Sequence, residues 1–186
     1  MAFMRFLKIL FGGGIDASTE ELLEMFIGQT YPDNDSIVSY ISAKGVATKE
    51  EAVFVSAAAC CSLGVMGATS QFKRLFTDAA LENLHLSLIR GWSEMYRATH
   101  PNASSVEILQ KSILDAFGVI SRAARNNRTK EGPASGYHAA KQARLLIDPD
   151  ESTLEEGEIA GFGILISKRH QTATGFFNTL RRNKRL

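Results

Sequence analysis

The chain has 186 residues, of which 45% are hydrophobic and 22% are charged, and its formal net charge is +1. These values are ordinary for a soluble globular protein, and a net charge so close to zero says little about its partners. A chain of this length most simply forms one domain and can bury a substantial core. The charge is unevenly distributed: residues 1–120 carry nine basic and thirteen acidic side chains, whereas residues 121–186 carry twelve basic and seven acidic ones.

Residues 1–11 form an apolar segment that only Arg5 and Lys8 interrupt, and three glycines at 12–14 follow it. One interpretation is an arm that docks on its own domain or on a second copy of the chain. Another is a short helix that lies in an anionic membrane surface, because cationic residues flank bulky apolar ones. The segment is too short to span a bilayer and matches a signal peptide poorly. The candidate membrane- or partner-binding residues are Phe3, Arg5, Phe6, Lys8, Leu10 and Phe11.

After this arm and its glycine hinge (residues 1–14), we predict a single helical domain over 15–186 that opens with two short helices. The first spans Ser18–Ile27, because Ser18 and Glu21 form a capping box and a glycine follows. The second spans Ser36–Lys44 and also ends at a glycine.

The longest uncharged stretch runs from Ala52 to Phe72, and with the capping box of Thr48 and Glu51 it predicts the central helix of the domain. A helix that is apolar on every side must be buried in protein or in lipid, so a membrane-spanning helix is the alternative. Small residues recur at every fourth position and would let neighbouring backbones approach closely. They are Ala52, Ser56, Cys60, Gly64 and Ala68.

The cysteine and histidine residues indicate no metal or redox site. Cys60 and Cys61 are adjacent and would point in different directions on a helix, so no disulfide is predicted. Both suit buried positions in a reducing compartment, which predicts a cytoplasmic protein, at the inner face of a membrane if the arm inserts. The four histidines lie far apart, and none has a second His or Cys at metal-ligand spacing. No metal and no cofactor are predicted.

Three further helices are predicted at Asp78–Arg97, Ser104–Asn126 and His138–Ile147, each from apolar residues at three- and four-residue spacing. On the first of them, His85 lies one turn from Glu82. Such a pair could transfer a proton, although a half-buried histidine held by its neighbour is the commoner case.

Residues 153–183 allow two interpretations. The apolar run at 161–167 fits a short buried strand, since it combines glycine with isoleucine. A lone strand would have nothing to pair with, so we favour a helix and leave residues 157–167 open between the two.

Basic residues cluster toward the C-terminus and could contact the phosphates of lipid head groups or nucleic acid. No nucleic-acid-binding module can be placed in the sequence, so nucleic acid is not a favoured partner. The anion-binding candidates are Lys168, Arg169, Arg181, Arg182, Lys184 and Arg185.

These elements predict an all-α fold, a single globular bundle of about seven helices around a buried central helix rich in small residues. The favoured function is a non-enzymatic interaction or regulatory protein that binds a protein partner, or a second copy of itself, through a helical surface. The main alternative is a peripheral membrane protein anchored by residues 1–11 and helped by the basic C-terminus. The third hypothesis is an enzyme whose site no motif reveals, with His85 the first residue to inspect.

Overall fold

The computed structural model describes residues 17–32, 50–72, 77–126 and 134–182. Within these ranges the chain forms six α-helices and no β-strand, which confirms the predicted all-α fold. Two short 3₁₀ turns, Ser70–Phe72 and Glu151–Thr153, follow the second and fifth helices. The helices are α1 (Ala17–Thr30), α2 (Glu50–Thr69), α3 (Asp78–Thr99), α4 (Val106–Asn126), α5 (Ala134–Ile147) and α6 (Glu156–Arg182).

The predicted helix Ser36–Lys44 and the arm at residues 1–14 lie outside the described residues. Residues 157–167, left open between helix and strand, belong to α6. The helical interpretation is correct because the apolar pattern continues beyond this run at helical spacing, so the whole of α6 buries one face. Its buried apolar residues are Ile159, Phe162, Leu165, Ala173, Phe177 and Leu180.

Helix α2 lies at the centre of the bundle, as the sequence predicted, and contacts α3, α4, α5 and α6. Within the described ranges, Glu50–Phe72 is the one helical stretch long and apolar enough to cross a membrane, and 72% of its apolar window is buried inside the protein. Other helices therefore cover most of the apolar surface of α2.

The small residues of α2 let α6 approach it closely. A Cβ atom added to Gly64 would overlap with the carbonyl oxygen of Ile166 and would lie 3.0 Å from the backbone nitrogen of His170. One turn before and one turn after this glycine, Cys60 and Ala68 are completely buried. The small side chains at four-residue spacing therefore allow α2 and α6 to pack at a short distance.

Side chains of two other helices hold the C-terminal end of α1. Trp92 in α3 donates from Nε1 to the carbonyl oxygen of Ile27 at 3.1 Å. Arg169 in α6 donates from Nε to the carbonyl oxygen of Thr30 at 3.2 Å and from Nη2 to that of Tyr31 at 3.0 Å. The last carbonyl groups of a helix have no partner within the helix, so these bonds satisfy them and fix α1 to the bundle.

The N-terminal ends of α2 and α4 are joined by one carboxylate. Glu51 accepts a hydrogen bond from the backbone nitrogen of Ser104 at 2.9 Å and another from its hydroxyl at 2.7 Å. Thr48, the predicted capping partner of Glu51, lies outside the described residues. The carboxylate thus serves a tertiary contact that the local pattern did not indicate.

Candidate functional site

An open cavity of about 680 Å³ lies between α2, α4 and α6, with the first turn of α5 at its edge. Small-molecule sites in proteins typically enclose about 300–1,000 Å³, so this volume is in the range of a binding pocket. The apolar residues that line it are Leu63, Met66, Phe117, Ala124 and Ile166. The polar residues that line it are Ser70, Ser121, Arg125, Ser167, His170 and Gln171.

Two glycines of α2 also line this cavity. Gly64 provides the close approach of α2 to α6 described above. A Cβ atom added to Gly67 would lie 3.4 Å from Cδ2 of His170, so the imidazole ring lies directly against this position. The sequence spacing that brings α6 close therefore also places His170 at the cavity wall.

His170 contacts a residue of the 3₁₀ turn that follows α2. Its Nε2 lies 3.2 Å from Nε2 of Gln71. This hydrogen bond holds the imidazole ring at the cavity wall.

Arg125 is the one lysine or arginine among the described residues that line the cavity. Its Nε donates to the carbonyl oxygen of Ser121, one turn earlier on α4, at 3.3 Å. No carboxylate among the described residues forms an ion pair with it, and the described lining contains no Asp or Glu. Toward the part of the chain that the structure describes, the N–H groups of both Nη atoms therefore remain available to a ligand.

His85 does not lie in the cavity. Its Nε2 lies 2.5 Å from the hydroxyl oxygen of Ser62 in α2, and both side chains are buried. The ring also contacts Phe117 edge-on, with 4.6 Å between ring centroids, so Phe117 separates this pair from the cavity that it lines. Burial lowers the pKa of His85 from its ordinary value of 6.5 to about 4, which keeps the ring neutral near pH 7.

The partner of His85 is therefore Ser62 and not Glu82, which is exposed. A serine beside a neutral histidine resembles the nucleophile and general base of a catalytic triad. No substrate reaches it, because the Ser62 side chain has no exposed surface. The pair is a satisfied polar contact inside the core.

The anion-binding candidates on α6 are not brought together. Lys168 and Arg181 are exposed, whereas Arg169 is buried and binds the end of α1. Residues 169 and 181 are about 18 Å apart along the helix axis, at 1.5 Å per residue. Lys184, Arg185 and the Arg182 side chain lie outside the described residues, as do Phe3, Arg5, Phe6, Lys8, Leu10 and Phe11. A protein partner and an anionic membrane surface both stay predictions.

Sequence reasoning missed the cavity. Arg125 stood out only as one of several cations before a polar loop, and His170 only as an isolated histidine. The one signal that pointed toward the site was the ridge of small residues on α2, which includes Gly64. Across the described ranges, no group of three or more His, Cys, Asp or Glu side chains could hold a metal ion.

Comparison with known proteins identifies no relative of this chain: no family model, no curated protein and no solved structure matches it.

Proposed function

We propose that this protein is a non-enzymatic binding protein that holds a small organic ligand in the cavity between α2, α4 and α6. The observation that carries the proposal is the cavity itself, which combines about 680 Å³ of space with apolar side chains and several polar groups in its lining. This combination is typical of ligand sites, where apolar surface supplies affinity and a few polar groups set the orientation.

The chemistry of the lining supports binding more than catalysis. The described lining residues include neither a carboxylate nor a thiol. Of the side chains that usually act as acids, bases or nucleophiles, this described lining contains only His170 and serine hydroxyl groups. The tightest serine–histidine contact, Ser62 with His85, lies in the core behind Phe117. Neither group can reach a molecule in the cavity without repacking the bundle.

The exposed apolar residues give weaker support to a protein-binding surface than the cavity gives to a small-molecule site. Among the residues that the structure describes, six large apolar side chains are more than a third exposed, and they are distributed over five helices. Single exposed apolar residues are normal on soluble proteins and indicate no binding surface. They are Met25, Leu86, Ile108, Tyr137, Leu146 and Ile164.

Titration of the full chain with N-phenyl-1-naphthylamine tests the proposal, because this neutral dye fluoresces when it enters apolar sites. We expect saturable binding with one site per chain. The variants Ala124→Trp and Ser121→Trp place an indole in the cavity, so we expect at least tenfold weaker binding in both. Ala98→Trp is the matched control, because Ala98 is exposed on α3, which does not line the cavity. It should bind the dye like the unmodified chain.

Circular dichroism and thermal unfolding establish that the four proteins share one fold before their affinities are compared. Non-saturable dye binding, or equal affinity in the cavity variants and the Ala98→Trp control, would overturn the proposal. In either case the dye would be reporting general apolar surface and not the cavity.

A further inference from the structure

The charge of the cavity restricts the class of ligand that it can hold. Arg125 contributes one permanent positive charge, and no described lining residue contributes a negative one. His170, whose Nε2 lies 3.2 Å from Nε2 of Gln71, adds a polar group to the same lining. Gly136, in the first turn of α5, also lies at the cavity, and this end of a helix carries a partial positive charge. The surroundings thus favour a ligand with one negative charge.

The geometry of Arg125 indicates how such a charge would be held. Among the described residues, its guanidinium bonds only through Nε, which donates to the carbonyl oxygen of Ser121. The two Nη atoms keep four N–H groups, and a planar guanidinium presents such groups to both oxygens of a carboxylate at once. A single guanidinium matches the charge of a carboxylate, whereas a phosphate monoester dianion would be left only partly neutralised.

The apolar residues of the lining indicate the chemical nature of the remainder of the ligand, which we call its body. Leu63, Met66, Phe117 and Ile166 present aliphatic, thioether and aromatic surface to the cavity. Methionine and phenylalanine bind apolar groups of irregular shape, and burying apolar surface supplies most of the affinity of small ligands. The polar groups available to the ligand lie at other positions of the lining, including Ser121, Arg125 and His170.

We propose that the cavity binds a monocarboxylate with an apolar body, its carboxylate at Arg125 and its body against Leu63, Met66, Phe117 and Ile166. The proposal rests on the proposed function and specifies the ligand class of that same site. The apolar body is either a flexible chain or an aromatic ring system, and the test has one arm for each.

Displacement of N-phenyl-1-naphthylamine from the full chain tests this proposal with two matched pairs of probes. Decanoate, kept below its critical micelle concentration, is compared with decanol, and 2-naphthoate is compared with 2-naphthol. Both comparisons are made at low and at high salt. We expect the acid of at least one pair to bind about fivefold more tightly than its neutral partner, since an exposed ion pair contributes modestly. High salt should reduce this preference by screening the exposed guanidinium.

The residue assignment is tested with Arg125→Gln and its matched control Arg122→Gln. Both arginines are exposed on α4, one turn apart, but only Arg125 lines the cavity. The Arg125→Gln variant should bind acid and neutral partner about equally and keep its affinity for the neutral one. The Arg122→Gln variant should keep the preference.

The outcomes separate the two proposals. Saturable dye binding with no preference for the acid in either pair would overturn the ligand class and leave the proposed function standing. Loss of the preference in both arginine variants alike would overturn the role of Arg125, because it would indicate general charge attraction. Failure of the cavity to bind the neutral dye would overturn the proposed function itself.

Discussion

Gly64 in α2 lies so close to Ile166 in α6 that a Cβ atom added to the glycine would overlap with the isoleucine carbonyl oxygen. The obstacle is backbone, and backbone cannot move aside by changing rotamer. Any larger residue at position 64 must therefore separate α2 from α6. Among the described helices, these two share the most extensive contact, and both line the cavity. A substitution at Gly64 should therefore change both the stability of the fold and the shape of the cavity.

We expect Gly64→Ala to lower the free energy of unfolding by about 1–3 kcal/mol, the usual range for overpacking a core. Gly118→Ala is the matched control, because Gly118 lies inside α4 with no atom within 4 Å of an added Cβ. Alanine there should raise the free energy of unfolding by about 0.5–1 kcal/mol, since it restricts the unfolded chain and favours helix. Urea unfolding measures both, and a change of the same sign in the two variants would contradict the predicted contact.

A second prediction concerns the pH dependence of stability through His85. Burial lowers the pKa of its side chain from 6.5 to about 4. Between these values the unfolded chain binds a proton at His85 and the folded chain does not, so the folded state loses stability as pH falls. The full effect corresponds to about 3 kcal/mol between pH 7 and pH 4, at about 1.4 kcal/mol per pKa unit.

His85→Gln removes this titration and keeps a polar side chain that can bond to Ser62. Unfolding free energies measured from pH 7 to pH 4 should therefore fall less steeply for His85→Gln than for the unmodified chain. Leu86→Gln introduces the same residue at the exposed neighbouring position and retains His85, so it should keep the steep dependence. Parallel curves for His85→Gln and the unmodified chain would show that His85 is not the group responsible.

A third prediction separates a structural from an anion-binding role for Arg169. Its guanidinium donates to the carbonyl oxygens of Thr30 and Tyr31, and a lysine cannot reproduce this forked arrangement. We expect Arg169→Lys to lower the free energy of unfolding by about 1–3 kcal/mol, because the single ammonium cannot keep both hydrogen bonds in their present geometry.

The same substitution at Arg181, exposed near the end of α6, should change the free energy of unfolding by less than about 0.5 kcal/mol. Thermal or urea unfolding of the two variants provides the comparison. Equal stability of Arg169→Lys and Arg181→Lys would remove the basis for a structural role and return Arg169 to the anion-binding candidates.

Local signals explain which parts of the fold were predictable from sequence. Helix α3 begins at the predicted Asp78, where the hydroxyl of Thr77 accepts a hydrogen bond from the backbone nitrogen of Ala80. Helix α4 ends at the predicted Asn126, where a stretch rich in polar residues, glycine and proline follows. Caps and periodicity act within a few residues, so they can be read without knowledge of the neighbours.

The candidate site could not be predicted in the same way. Arg125 and His170 lie on different helices, and they share a cavity only because α4 and α6 both pack against α2. The run Lys168-Arg169 looks locally like an exposed cationic pair. Arg169 is buried because the end of α1 lies against it, and no local pattern specifies where that end lies.

The sequence by itself determined the helical class, the central position of α2 and some helix ends, such as Asp78 and Ile147, because hydrophobic spacing, caps and helix-stopping residues act over one or two turns. Only the tertiary structure decided that His85 bonds to Ser62, that Arg169 holds α1, and that Arg125 and His170 line one cavity. Those relationships depend on the angles and distances at which helices pack. Such angles and distances arise from contacts between residues far apart in the chain.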